Sequence, residues 1–452
     1  MIKLLNQPQG SLCAPRAGHY ARSGRRARRI VPALLCGGIA LSGTVLFWAA
    51  AQAQTIDSAQ NAKNMLSVTT RTNKLYDLDP RRIGDFTFIT SLQTGMRYND
   101  NIYAAQNGKR SDIAYQAAPS LALGSDFIRH AASFTMAMEK AWHARYAAEN
   151  YTDFKTMADG RIDVTGQTSV PLRISFERGH YSRDEPEENI TRKPSTYNLW
   201  TGLSGLTHQG ARFSFKSLAT IKKYLFTSNE DKSGVKINDD RDRRETGFYA
   251  SLGLRDDVRI APFFYSSILD ISYDEKRNTA RLLRDSKTYE LGAGTIVNLS
   301  GVTRLSFHAG KLHRDMKDPT LNDVDDVAYG AAAQWEPSTL MALTFSADRT
   351  AQETITAGAF SRLADTIGLS LQYELFPNVL LTPAFTYKNF DYQGINRETE
   401  QYNASFGATY KMNQNLWLSG NYHYITQEDK GTDAAGNTFE SNIINLSLKL
   451  QF

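Results

Sequence analysis

From residue 83 to its end the chain alternates apolar and polar residues with a period of two. Phe86, Phe88, Leu92, Met96 and Tyr98 share one parity, and Phe134, Met136, Met138 and Trp142 repeat it. The second half is cleaner: Tyr289, Leu291, Ala293, Val297; then Ile367, Leu369, Leu371, Tyr373, Leu375; finally Ile444, Leu446, Leu448, Leu450, Phe452. Period two sends successive side chains to opposite faces of a strand. The segments predict eighteen strands at 84–98, 112–125, 130–146, 149–168, 169–182, 195–206, 211–225, 245–255, 259–273, 286–298, 301–313, 325–336, 340–349, 361–376, 379–391, 399–411, 416–427 and 440–452. Sixteen is the alternative, because 149–168 is ragged around Gly160.

A soluble sandwich would alternate too; the connections separate the two. Short ones (207–210, 298–301, 336–339, 376–378, 411–415) alternate with long ones (99–111, 183–194, 227–244, 274–286, 314–325, 349–360, 391–398, 428–438). The long ones carry charge runs such as Arg183-Asp184-Glu185-Pro186-Glu187-Glu188. Strict alternation of short turns and long loops is what an up-and-down membrane barrel produces, with turns in the periplasm and loops outside. The expected fold is therefore an all-β transmembrane antiparallel barrel over 83–452, wide enough to enclose an aqueous channel. Lys140 and Asp365 fall on the apolar parity, where a charge facing mid-bilayer costs about 2–4 kcal/mol. Either they lie near a membrane edge or the register slips there.

The N-terminus changes the charge account. Residues 1–53 hold Lys3, six arginines and no acid, an apolar run from Ile30 to Ala50, and the small-x-small site Ala51-Gln52-Ala53. That pattern predicts a removable export signal. The whole chain carries 52 Lys+Arg against 47 Asp+Glu; without the seven basic residues of 1–53 the balance is 45 against 47. The apparent basicity belongs to the signal, so nucleic-acid binding loses its support. Both cysteines, Cys13 and Cys36, also lie there, which leaves no disulfide or thiolate chemistry downstream. Residues 54–82 read as a short periplasmic leader, too short to fold as a plug domain.

The parity opposite the apolar one should line the lumen. It contains Arg97, Arg161, Arg173, Glu177, Arg212, Lys216, Arg304, Glu374, Lys388 and Lys449. Arg145, Lys155 and Arg362 join them, with Glu139, Asp153, Asp159, Asp163, Glu245, Asp270, Glu290 and Asp348. Rings of one sign select ions of the other sign. Here the signs nearly balance, which points to neutral or mildly charged polar solutes, and to wall charges that pair with one another. Trp200, Tyr249 and Trp417 share this parity, offering faces on which sugars stack. No G-x-S-x-G elbow and no H-E-x-x-H pattern occurs, and the seven histidines after residue 53 are scattered. No catalytic residue, metal site or cofactor is expected. The run Asp323-Val324-Asp325-Asp326 lacks the glycine and terminal glutamate of an EF-hand.

The alternating C-terminus ending in Phe452 looks like the signal read by the outer-membrane assembly machinery, and pairing this strand with the first removes both sheet edges. Over 78–190 the chain resembles the putative β-barrel porin 2 family. Leu78-Asp79-Pro80 with Ile83-Gly84 and Phe86 leads into the first strand, and Tyr98-Asn99-Asp100-Asn101-Ile102-Tyr103 follows it. Ser111-Asp112, Pro119-Ser120-Leu121, Ser125-Asp126 and Arg129-His130 complete the match. The resemblance implies an outer-membrane barrel, often linked with exopolysaccharide or capsule production, with no catalytic residues and no defined substrate; a channel for exopolysaccharide export is the expected function. A diffusion porin for small polar solutes and a non-transporting surface barrel are the alternatives. The expected partners are outer-membrane lipid and lipopolysaccharide, the assembly machinery, and periplasmic polysaccharide-export components. Asp100 and Asn101 are expected to cap turns rather than bind ligand.

Overall fold

The computed structural model describes residues 68, 73–188, 191–230, 234, 236–275, 282–434 and 436–452. The export signal read at 1–53, and the leader before residue 73 apart from Val68, lie outside the described residues.

Eighteen long strands form one closed antiparallel barrel among the described residues. The first nine are β1 (Phe86–Asn99), β2 (Asp112–Ser125), β3 (Ala131–His143), β4 (Tyr151–Asp163), β5 (Thr168–His180), β6 (Thr196–Gln209), β7 (Phe213–Phe226), β8 (Arg243–Leu254) and β9 (Ile260–Tyr273). The others are β10 (Ser286–Ser300), β11 (Thr303–Met316), β12 (Val324–Ser338), β13 (Met341–Gln352), β14 (Ser361–Phe376), β15 (Val379–Gln393), β16 (Glu398–Lys411), β17 (Leu416–Lys430) and β18 (Phe439–Gln451). Each predicted segment corresponds to one strand. The ragged segment ends at Asp163, and Gly160 sits inside β4, opposite Ala132 and Leu172. The break lies instead at the turn 164–167.

β1 and β18 close the barrel from Ser91↔Gln451 to Asn99↔Ile443. Phe452 exchanges backbone hydrogen bonds with Thr90 at 2.8 and 3.1 Å. Below that point the edge of β1 would be bare, and the short strand Arg81–Ile83 covers it by pairing with Phe86–Phe88. At the other end of the same seam Asp100 accepts both the backbone N–H and the side-chain amide of Asn442, each at 2.7 Å. Asn101 donates to the carbonyls of Ala105 and Glu440 at 2.8 and 2.9 Å. These Asx side chains are the structural staples expected of them, and they also span the closing seam.

One face of every strand exposes large apolar side chains: Ile174, Phe264 and Leu291 are 67%, 73% and 70% exposed. Surface of that kind on strand after strand requires a hydrocarbon solvent. The inner face is polar and interlocked. Gly179, for example, leaves room for the ring of Tyr197, whose hydroxyl an added Cβ would meet at 2.6 Å. Lys140 and Asp365 do face outward on this scheme. Lys140 donates to Thr152 Oγ1 at 2.7 Å. Asp365 binds Arg349 at 2.6 and 2.7 Å and accepts from the Tyr329 hydroxyl at 2.8 Å, close to the loop end.

Two parity assignments are corrected. In β6 Trp200 faces outward, 52% exposed and 4.5 Å from the outward ring of Phe176, while Tyr197 is buried inside. Leu199 and Leu203 therefore face inward. β6 carries apolar residues on both faces, so its period was ambiguous. Asp270 follows Phe264 and Ile268 on the outer face of β9, where it meets Lys287 at 3.4 Å.

The barrel has one step in it. The β12–β13 ladder stops at Gly330↔Asp348, although β12 runs on to Val324 and β13 to Gln352. Beyond that rung Arg349, of outward parity, reaches Asp326, of inward parity, at 3.2 Å. Ala351 and Leu363, also of outward parity, join Met316, Val324 and Phe360 in a buried cluster. The loop end of the β13–β14 hairpin has therefore bent into the barrel and packs its outer face on the inner face of β11 and β12.

Candidate functional site

In the long loop between β5 and β6, the described residues 181–188 and 191–195 fold into the barrel, and 184–187 reach across it. Its root is rigid. Arg183, 8% exposed, makes a bidentate pair with Glu149 at 2.8 and 2.9 Å. Its remaining Nη1 donates to the carbonyl and hydroxyl of Thr191 at 2.9 and 2.7 Å. Glu188, fully buried, accepts from the Thr191 hydroxyl at 2.7 Å and the Ser195 N–H at 2.6 Å. Arg241 covers the rings of Tyr181 and Phe226 at 4.9 and 4.2 Å. A buried charge needs a partner, and each of these has one.

The tip lands on the far wall. The Asp184 carbonyl accepts from Gln401 of β16 at 2.9 Å. Glu187 accepts from the Thr354 hydroxyl at 3.0 Å, the Ile355 N–H at 2.8 Å, Arg362 Nη1 at 3.1 Å and the Tyr392 hydroxyl at 3.5 Å. Those partners sit on β14, β15 and the loop before β14. In an eighteen-strand barrel this position is about half a turn from the β5–β6 junction, so the loop spans the lumen. Burial pushes the carboxyls of Glu185 and Glu188 above the ordinary glutamate range. For Glu185, the positive charges of Lys388 and Arg362 pull partly the other way.

The landing point is the bent hairpin. Its loop, 353–360, is anchored by Glu353, which binds Arg314 of β11 and the hydroxyl of Tyr273 of β9. Arg314 is itself fully buried and donates to Ser361 and Ser286, each at 3.0 Å. Two loops from opposite walls thus enter the barrel at the loop end and join at Glu187. The charge run Arg183–Glu188, expected in a long outer loop, therefore lies folded inside the mouth of the barrel. A run of charges reads as solvated unless their partners, which lie on distant strands, are known; no local signal marked it.

The wall charges pair with one another, as their balance suggested. Arg161 binds Asp163 at 2.9 Å, Arg173 binds Asp159 at 2.5 Å, and Glu177 takes Lys155 at 2.7 Å and the Tyr197 hydroxyl at 2.8 Å. Lys216 and Arg304 converge on Asp256 at 3.6 and 3.7 Å. Arg97 donates to Asn445 at 2.8 Å and the Tyr151 hydroxyl at 3.2 Å. Lys388 lies beside Glu185 of the crossing loop. Arg212 is exposed in the turn that precedes β7, at the rim rather than on the wall. Glu374 is half-buried next to the opposite turn of β14. Lys449 and Lys411 lie over the ring of Trp417 at 5.1 and 4.7 Å.

The leader grips that turn end. Trp417 Nε1 donates to the Tyr76 carbonyl at 3.2 Å, Asn73 donates to the Pro377 carbonyl at 3.2 Å, Lys411 pairs with Asp77, and Gln414 donates to the Lys74 carbonyl. Residues 73–77 therefore follow the inner rim along β15 to β17.

Several solved structures show similarity to this chain. OpdL of Pseudomonas aeruginosa is 10% identical with a TM-score of 0.42, covering 82% of this chain and 99% of its own. A BenF-like porin of Pseudomonas fluorescens Pf-5 is 10% identical with a TM-score of 0.42, covering 82% and 100%. The ferric enterobactin receptor PfeA of Pseudomonas aeruginosa is 8% identical with a TM-score of 0.42, covering 81% and 80%. No curated protein matches the sequence. The family model described as "putative beta-barrel porin 2" matches residues 76–452, and with the closed eighteen-strand barrel on the page the chain belongs to that family of outer-membrane β-barrel porins.

Proposed function

We propose that this chain is a gated outer-membrane conduit whose cargo is a surface polysaccharide leaving the cell. One observation carries the gating: the segment 181–188 crosses the lumen and is fastened by Glu187 to the inward-bent β13–β14 hairpin. A wide barrel that passes a polymer must stay shut between chains, and a fastened crossing loop supplies that closure. The paired wall charges favour a neutral or weakly charged cargo. The barrel transports and carries out no chemistry. It is delivered by the signal at 1–53, folded by machinery that reads Phe452, and set in lipopolysaccharide. The leader held at the periplasmic rim would present the chain before residue 73 to periplasmic export components.

Deletion of the protein tests the cargo. The expected result is loss of surface polysaccharide, with small-solute uptake unchanged. Normal polysaccharide with reduced uptake of a small polar solute would overturn export and establish the diffusion porin instead.

A further inference from the structure

The lipid-facing side of the barrel is not evenly charged. On β3 to β8 every acidic side chain (Glu139, Asp153, Asp159, Asp163, Glu177 and Glu245) lies on the inward parity. Four cations on the same strands lie on the outward parity: Lys140, Arg178, Lys223 and Arg244. Each stands within three residues of the loop end of its strand. Below them the outer wall is apolar, with Met136, Ile174, Ile221 and Phe248 exposed. Between them stand the rings of Phe154, Phe176 and Trp200, with Phe176 4.5 Å from Trp200 and 6.2 Å from Phe154. Outward aromatic girdles mark the boundary between hydrocarbon and headgroups. The four cations therefore lie at headgroup level on the outer side of the membrane.

Their partners differ from those of the other outward cations. On β10 to β13, Lys287 meets Asp270 at 3.4 Å, Lys311 meets Asp325 at 3.2 Å and Arg349 meets Asp365 at 2.6 Å. Those cations bring their own counter-ions. On β3 to β8, Lys140 has only the hydroxyl of Thr152, and Lys223 pairs with Asp274 just beyond β9. Arg178 and Arg244 are exposed and make neither a hydrogen bond nor an ion pair among the described residues. Arg178 stands between Phe154 and Asn198 on the neighbouring strands. Arg244 stands directly opposite Lys223, cation against cation. Like charges directly opposed across a ladder destabilise it. A low-dielectric neighbour strengthens that repulsion. An anion supplied from outside the chain relieves it.

We infer that this stripe on β3 to β8 binds the phosphate groups of lipopolysaccharide in the outer leaflet. A guanidinium fork takes two phosphate oxygens at once and keeps its charge at any working pH. Clusters of basic side chains at a membrane surface recruit anionic headgroups in this way. A neutral headgroup would leave Arg244 and Lys223 facing each other unscreened. The apolar wall below the stripe takes the acyl chains of the same lipid. The inference rests on the outer-membrane setting of the barrel and is independent of its cargo.

Native mass spectrometry of the full barrel, stripped of lipid in a neutral detergent, tests it. The probes are lipid A carrying both phosphates, lipid A with its phosphates removed, and phosphatidylglycerol. The wild type should hold the diphosphorylated form at least about tenfold more tightly than either of the others. Arg178→Gln/Arg244→Gln should lose roughly that tenfold preference. Lys287→Gln/Lys311→Gln, which removes cations that already have acidic partners, should leave it unchanged. Heat-modifiability on gels checks that both variants fold, and the three-lipid comparison on the wild type stands without them. Equal binding of the phosphorylated and dephosphorylated forms, or phosphatidylglycerol held as tightly as lipid A, would overturn the assignment. So would a preference that survives the arginine variant or falls equally in the lysine variant.

Discussion

Replacing Glu187 with alanine should open the channel, and the size of the effect follows from what the carboxylate holds. It accepts from two neutral donors and Arg362 within 3.1 Å, and both members of the ion pair are about nine-tenths buried. Hydrogen bonds to a charged group contribute about 1.5–3 kcal/mol each. Breaking a buried pair by removing one partner costs about 3–5 kcal/mol, because the other charge stays unpaired. Arg362 would keep its stack on Phe390 at 4.2 Å, its contact with the Tyr392 hydroxyl and the more distant charge of Glu185, but no direct carboxylate partner. A loss of about 3–5 kcal/mol shifts the closed-to-open ratio by roughly two to three and a half powers of ten, at tenfold per 1.4 kcal/mol. A latch that keeps the wild-type mouth shut nearly all the time would then be open for much of it. Single-channel recording in planar bilayers reads this directly: rare openings for the wild type, sustained current for the variant. The double variant Glu187→Ala/Arg362→Ala removes both charges and should cost less than the sum of the single losses. Equal open probability in wild type and Glu187→Ala would refute the latch.

Three further outcomes are expected. Burial raises the Glu185 and Glu188 carboxyls, so the folded loop binds protons more tightly than a released one. That stabilisation is fullest at and below the ordinary value of 4.5 and fades as pH rises through the raised values. Open probability should therefore rise with pH from about 4.5 upward, and a flat or inverted profile in bilayers would contradict it. Asn101→Ala removes an amide that ties its own loop to the Ala105 carbonyl and crosses the closing seam to the Glu440 carbonyl, and should cost about 1–3 kcal/mol, seen as a lower temperature of heat-modifiability; an unchanged transition would show the staple to be idle. Asp77→Ala frees the leader from Lys411, so trypsin should cut at Lys74 faster while the barrel stays intact, and equal cleavage rates would show that the clasp does not hold the leader.

The barrel was legible because its strands obey one physical rule with little interference. In β18 the outward Leu446, Leu448 and Leu450 alternate with Asn445, Ser447 and Lys449, and in β14 Ile367 to Leu375 do the same. The rule fails where both faces are apolar. β6 reads equally well with Leu199 or Trp200 outward, and only its pairing with Phe176 decides. It also fails where a strand end leaves the membrane: Asp365 keeps the outward parity because Arg349 and Tyr329 satisfy it near the rim. The crossing loop was not legible at all. Arg183, Glu187 and Glu188 form a charge run of the kind that normally faces water. Their burial depends on Glu149, Arg362 and Thr354, which are 34, 175 and 167 residues away from their partners in the run. Period and composition carry no information about such pairs. The same holds for Arg314, which the sequence places in the long connection 314–325 and which the structure buries fully at the end of β11.

The most direct test of the gate uses the absence of cysteine after Cys36. The double variant Glu187→Cys/Thr354→Cys removes the latch and places a thiol on each loop. It should conduct freely in a bilayer and fall silent once a short thiol-to-thiol cross-linker ties the loops together. Current that is the same before and after cross-linking, with the cross-link confirmed by mass, would show that these two loops do not gate the barrel.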